Sequence, residues 1–210
     1  MHRAFAFIAV LAFAAPLFAQ HRVDFIVDVE GVKRTGKTTF EPNTVRYEPR
    51  FDNGGGIGVG VNWFLSSRVS LEIKVSALES HLRVRRSGSD FVSVADLGRA
   101  QIYPVTAILQ WHMLDKATFR PYLGAGVGHV ILRNVEKPVF GGSGITFDDP
   151  TGLVLDGGLE VVMSRRWSLL ADARYTPIET TARATFGSTG AREHIDVKPL
   201  VVSFGAAVHF

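Results

Sequence analysis

Val69-Ser70-Leu71-Glu72-Ile73-Lys74-Val75-Ser76-Ala77 decides the fold. Its odd positions are apolar and its even positions polar, the period of a strand that shows one face to each of two environments. Just before it, Ile57, Val59, Val61 and Trp63 alternate with Gly58, Gly60 and Asn62. Only a short segment around Ser66-Ser67 separates the two runs, so they read as a hairpin. The same alternation recurs in the runs 23–30, 105–113, 119–131, 153–164, 167–176 and 200–210.

These runs make about eight strands, many of them near the ~9–11 residues that a tilted strand needs to cross a bilayer. Their connections also alternate. Tight ones fall near Ser66, Asp115 and Arg165, and long polar ones around residues 32–53, 83–101, 134–149 and 183–195. Short turns at one end and long loops at the other are the pattern of an outer-membrane barrel. A soluble lipocalin-like barrel has the same alternation turned inside out. The aromatic residues separate the two. Trp63, Trp111, Phe119, Trp167 and Phe210 all lie on the apolar face near the tight-turn end, at one level, as a membrane interface selects. The expected architecture is all-β: an eight-stranded antiparallel transmembrane β-barrel, an up-and-down meander.

Composition is compatible with this. Lys and Arg total 23 against 20 Asp and Glu, so a net charge of +3 gives no reason to expect a nucleic-acid partner. With no cysteine, disulfides, thiolate metal sites and cysteine nucleophiles are excluded. The chain opens with Met1-His2-Arg3, an uncharged run Ala4 to Ala15 and a small residue at Ala19, the order of a cleaved secretory signal. The expected division is a signal peptide over 1–19 and an outer-membrane barrel domain over 20–210.

Tyr103-Pro104-Val105-Thr106-Ala107-Ile108-Leu109-Gln110-Trp111 and Arg120-Pro121-Tyr122-Leu123-Gly124-Ala125-Gly126-Val127-Gly128 resemble the OmpW family of outer-membrane proteins. So do Asp156-Gly157-Gly158-Leu159-Glu160, Leu170-Ala171-Asp172-Ala173-Arg174-Tyr175 and the closing Val208-His209-Phe210. The resemblance implies an eight-stranded barrel and a conduit for small hydrophobic compounds. The terminal Phe210 is similar to the signal by which the barrel-assembly machinery recognises its clients. The first long loop, with Lys33, Arg34, Lys37 and Thr38, has no family counterpart.

Gly31-Val32-Lys33-Arg34-Thr35-Gly36-Lys37-Thr38 fits the P-loop pattern, but Pro42 and the absence of helical periodicity after it argue for a solvated loop. Gly124, Gly126 and Gly128 lack dinucleotide-site spacing and instead leave room inside a narrow barrel. The histidines are scattered, Asp148-Asp149 reads as a turn, and none of the histidines has the His-x-Ser spacing of lipid A deacylases. No enzymatic activity, metal or cofactor is expected.

The inward face carries the informative pattern. Asp24, Glu72, Lys74, Gln110, His112, Arg120, Glu160, Asp172, Arg174 and Ser203 have inward parity and should form a paired polar network that narrows or plugs the lumen. Toward the long loops, Leu78, Leu82, Ile108, Val130, Leu132, Val154, Ile178 and Val201 are apolar at inward positions. An apolar vestibule above a polar floor suits a hydrophobic ligand that leaves sideways into the membrane. Pro104, Pro177 and Pro199 each remove a ladder hydrogen bond near the outer strand ends, loosening the wall or ending the strands. The alternative is a barrel that transports nothing, whose loops bind a partner or lipopolysaccharide through Arg83, Arg85 and Arg86. Outer-membrane lipids are the expected surroundings in either case.

Overall fold

In a computed structural model, Phe25 near the start of the first strand stands opposite Val61 on one side and Val208 of the last strand on the other, so the sheet closes on itself. The structure describes residues 22–35, 46–51, 53–87, 92–114, 117–133, 145–147, 149–186 and 189–210. The expected signal peptide and Asp148 lie outside them. The strands are β1 (Val23–Thr35), β2 (Arg46–Phe51), β3 (Gly54–Phe64), β4 (Val69–Ser87), β5 (Val92–His112), β6 (Phe119–Arg133), β7 (Ile145–Phe147), β8 (Thr151–Val162), β9 (Trp167–Tyr175), β10 (Ile178–Phe186) and β11 (Thr189–His209).

Eight positions make the wall. Strands β1, β4, β5, β6 and β11 each fill one. Strand β2 continues the place of β3 along β4, β7 continues that of β8 along β10, and β10 continues that of β9 along β11. All pairings are antiparallel, and the β1–β11 ladder closes the ring. The result is the closed eight-stranded barrel that the alternation implies.

Its polarity is that of a membrane barrel. Val27, Leu153 and Phe204 are more than 60% exposed on the outside, while Asp24, Lys74 and Glu160 are 3% exposed or less within. Two tight turns at one end are built alike. Leu65 and Ser66 donate their amides to the Val69 carbonyl, and the Ser66 hydroxyl accepts the Val69 amide at 3.1 Å. Met163, Ser164 and Trp167 repeat the arrangement. A serine closing the turn through its side chain explains the tightness of both.

At the other end, several segments expected as loops are strand. Strand β4 runs to Ser87 and β5 begins at Val92, and β10 and β11 leave only residues 187–188 between them. Strand β1 extends to Thr35, through the first five residues of the P-loop-like stretch, and no helix follows within the described residues. The physical reason is that a hairpin standing clear of the membrane meets water on both faces. It keeps its backbone ladder and loses its hydrophobic period.

The prolines do not simply end strands. Strands β5 and β11 continue through Pro104 and Pro199, whereas Thr176-Pro177 separates β9 from β10. The β4–β5 ladder omits Ser76 and Ala77, opposite Tyr103 and Pro104. The β8–β9 ladder stops at Leu155 opposite Tyr175, and Thr151 to Val154 pair only with β6 on their other side. Pairing on that edge resumes at Phe147 opposite Ala182.

Candidate functional site

Every second residue of each strand points at the axis, and the interior is too narrow for these side chains to avoid one another. Seven carboxylates face it among the described residues: Asp24, Asp28, Glu30, Glu72, Asp156, Glu160 and Asp172. They meet four permanent cations, Arg22, Lys74, Arg120 and Arg174.

At the tight-turn end, Arg22 grips Asp24 through two nitrogens, at 2.8 and 2.5 Å, and reaches Glu160 at 3.2 Å, with its guanidinium 4.1 Å from the Phe64 ring centroid. Arg120, half-buried, stands 3.8 Å from Glu160 and donates to the Ala117 carbonyl. In mid-barrel, Arg174 binds Glu72 at 2.6 Å and Asp156 at 3.2 Å, with Asp172 at 3.6 Å. Gln110 donates its amide to Asp156 at 2.9 Å and Glu72 at 3.2 Å, and accepts from Asn62 at 3.1 Å. His112 shares a hydrogen bond with Ser70 at 2.9 Å. On the opposite wall, Lys74 pairs with Asp28 and, at 2.8 Å, with Glu30, which also accepts from Ser76. Gly58 makes this cluster possible. A Cβ there would lie 2.5 Å from Lys74 Cε and 2.7 Å from Glu30 Oε1.

Asp24, His209 and Ser168 form a carboxylate–imidazole–hydroxyl line, with Nδ1 2.8 Å from Asp24 and Nε2 2.6 Å from the Ser168 Oγ. Ser168 is 1% exposed and its Oγ also donates to Glu160 at 2.7 Å. Sealed and held by two partners, this hydroxyl has no path to a scissile carbonyl; the line ties β1, β8, β9 and β11 together. We expect Ser168→Ala to lower stability by about 1–3 kcal/mol, since it strips a donor from buried Glu160. An unchanged urea-unfolding midpoint in detergent micelles would show the line to be idle. Atoms of Asp24, Glu160 and His209 also lie within 4.8 Å of one another, a spacing suited to a metal ion. The Arg22 guanidinium already fills the cationic place between the two carboxylates.

The ten polar residues singled out from parity therefore lie inside, nine of them buried and Arg120 half-buried. Asp28 and Glu30 fall at even, inward positions of the run 23–30, but their role as partners of Lys74 is visible only through the register. Arg22, just outside the first alternating run, had no sequence signal.

The apolar tier is uneven. Leu78, Ile108, Val130 and Val154 are buried, Leu132 and Val201 half-buried, and the side chains of Leu82 and Ile178 lie outside the described residues. Ile108 and Val154 are fully enclosed because they lean over glycines of β6. A Cβ on Gly124 would lie 2.7 Å from Ile108 Cγ2, and one on Gly128 2.8 Å from Val154 Cγ2. On the outer surface, Trp111, Phe119, Trp167 and Phe210 are exposed at the tight-turn end, Trp63 is half-exposed, and Phe210 meets Phe25 edge to face at 5.5 Å.

The sequence profile of the OmpW family matches residues 21–210. The chain belongs to the OmpW family. Outer membrane protein W of Vibrio cholerae serotype O1 is 27% identical over 220 residues, covering 97% of both chains. Outer membrane protein AlkL of Ectopseudomonas oleovorans is 28% identical over 153 residues, 71% of this chain and 64% of that protein. Among solved structures, the outer membrane protein OprG from Pseudomonas aeruginosa superposes with a TM-score of 0.70 at 17% identity, over 89% of this chain and 95% of that one. AlkL in lipid bilayers gives 0.62 at 21%, over 89% and 90%. The OmpW-family chain is thus an outer-membrane barrel, and its apolar exterior faces lipid.

Proposed function

We propose that the barrel takes up small hydrophobic molecules through its outer half and releases them sideways into the membrane. The observation that carries this is the interrupted β8–β9 ladder at Thr151 to Val154, immediately above the Asp156–Arg174 pair. A ligand moving inward would meet a floor of paired charges there, and the unpaired wall beside it is where strands separate without breaking cross-strand hydrogen bonds. Leu78, Val130, Leu132 and Val201 would line the vestibule, with Ile108 and Val154 as its base. The five aromatic residues at the tight-turn end would set the barrel's depth at the periplasmic interface. Export through a cleaved signal over 1–19 and recognition of Phe210 by the assembly machinery complete the reading.

The absence of native cysteine makes a clean test available. Val154→Cys with Thr176→Cys brackets the lower lip of the interruption. In vesicles, oxidation should reduce uptake of a small hydrophobic fluorophore by about tenfold or more, and reduction should restore it. Equal uptake by the verified disulfide form would remove the sideways exit. Val130→Trp should reduce uptake without a disulfide, by filling the vestibule.

A second reading rests on the β2–β4 ladder, where Arg50 lies opposite Arg83 and Glu48 opposite Arg85. Such a basic extension suits the phosphates of lipopolysaccharide. Loss of lipopolysaccharide binding in Arg83→Ser/Arg85→Ser, with uptake intact, would separate the two roles.

A further inference from the structure

Beside Thr151 to Val154 the edge of β8 is unpaired, and strand geometry fixes which main-chain groups are left over. In an antiparallel ladder, successive residues send their N–H and C=O to opposite neighbours. The Val130 amide bonds the Pro150 carbonyl, and the Val162 amide bonds the Thr118 carbonyl, so the even residues of β8 address β6. The odd ones, Thr151, Leu153 and Leu155, address β9. Leu155 finds Tyr175 there. Two residues further, the same register brings Pro177 opposite Leu153. A proline has no N–H to give. Among the described residues, the Leu153 carbonyl has no main-chain donor. The next ladder repeats the defect. The Thr176 amide reaches the Pro199 carbonyl at 3.2 Å, and Pro199 has no N–H to return.

This gap belongs to the lipid-facing wall. Val161, at the level of the girdle, pairs with Phe119. Leu153 stands about 20 Å above it, at ~3.3 Å per residue and a tilt near ~40°, within an apolar band of ~25 Å. The Leu153 side chain is 66% exposed toward lipid. On the lumen face the neighbouring Gly152 adds no side chain. On the outer face, one step higher, the Thr151 hydroxyl and His129 Nδ1 share a hydrogen bond at 2.9 Å. A passage between β8 and β9 therefore runs past main-chain acceptors short of donors, in surroundings where an unmet carbonyl is costly. A hydrocarbon offers such a carbonyl nothing. An ammonium would carry a charge into lipid. A hydroxyl is small and uncharged, and donates and accepts at once.

We propose that the molecules leaving by this gap carry a hydroxyl group on an apolar body, and that the main chain of Leu153 recognises it. The hydroxyl donates to the Leu153 carbonyl, in the place of the N–H that Pro177 lacks, and accepts from the Leu153 amide. The apolar body lies against the exposed side chains of Leu153 and Leu155. Pro177 determines specificity through the donor it withholds. This names the substrate class of the uptake route proposed above and rests on that reading.

The sequence holds two Leu-Val peptide bonds, Leu153-Val154 and Leu200-Val201. Labelling the leucine carbonyl carbon and the valine nitrogen therefore gives two resolved NMR signals from the mature barrel in phosphatidylcholine nanodiscs. Leu200, paired with Lys33 in the closed seam, is the internal control. Titration with n-octanol should shift the Leu153 carbonyl signal saturably and leave that of Leu200 in place. Octane, and octyl methyl ether, which accepts but cannot donate, should leave both in place. An unmoved Leu153 signal with n-octanol, or an equal shift with the ether, overturns the proposal. So does a full response in Pro177→Ala, which restores the missing N–H. The three probes act on the unaltered chain, so they decide the matter even if Pro177→Ala fails to fold. The readout is binding at one main-chain atom and not transport. A silent Leu153 carbonyl alongside uptake that the Val154→Cys/Thr176→Cys disulfide still blocks overturns the hydroxyl preference and leaves the sideways route standing.

Discussion

Arg174→Met should lower the unfolding free energy by about 3–5 kcal/mol, the cost of removing one partner from a buried ionic cluster. Arg174 is 5% exposed and is the permanent cation nearest both Glu72 and Asp156, at 2.6 and 3.2 Å. Methionine fills much of the same space, so the loss is electrostatic and not one of volume. Urea titration of the refolded barrel in detergent micelles, followed by tryptophan fluorescence, measures it. Adding Glu72→Gln to Arg174→Met should recover part of the loss, because one unpaired carboxylate disappears with it. A double variant as unstable as the sum of the two singles would mean that the cluster does not act as a unit.

Gly126→Val should cost about 3 kcal/mol or more, or prevent refolding, through overpacking against backbone. A Cβ at this position would press on the Ala107 carbonyl oxygen and stand 2.7 Å from Ile108 Cα, and neither can rotate away. Both belong to β5, which pairs with β6 at this point, so relief requires spreading the wall itself. Gly31→Ala is the control. Its new Cβ would find only the Val202 carbonyl, at 3.9 Å, an ordinary contact, and its effect should stay within about 0.5 kcal/mol. Equal refolding yields and midpoints for the two variants would disprove the steric account.

Inside the membrane the sequence was readable because lipid on one side and a charged axis on the other force strict alternation. Val69 to Ala77 carries its own register, its face and its role. Outside the membrane that forcing ends. Residues 83–87 and 92–101 look like a polar loop and are ladder, because water on both faces leaves hydrogen bonding without a hydrophobic period. The site divides similarly. Parity placed Glu72, Lys74 and Arg174 inward, but pairing across the lumen depends on stagger around the ring, which no single strand encodes. Lys74 thus meets Asp28 and Glu30 from a strand two places away, and Arg174 meets Glu72 from a strand four places away. How the apolar tier packs was hidden for a related reason. Ile108 and Val154 share the parity of the vestibule, yet glycines on the neighbouring strand let them fold down into packing.

The seam between β1 and β11 sets the order of events at birth. Val23 and Phe210 exchange backbone hydrogen bonds across it, so the first stretch of barrel to leave the ribosome waits for the last. A prematurely terminated product has two raw sheet edges and no means of joining them.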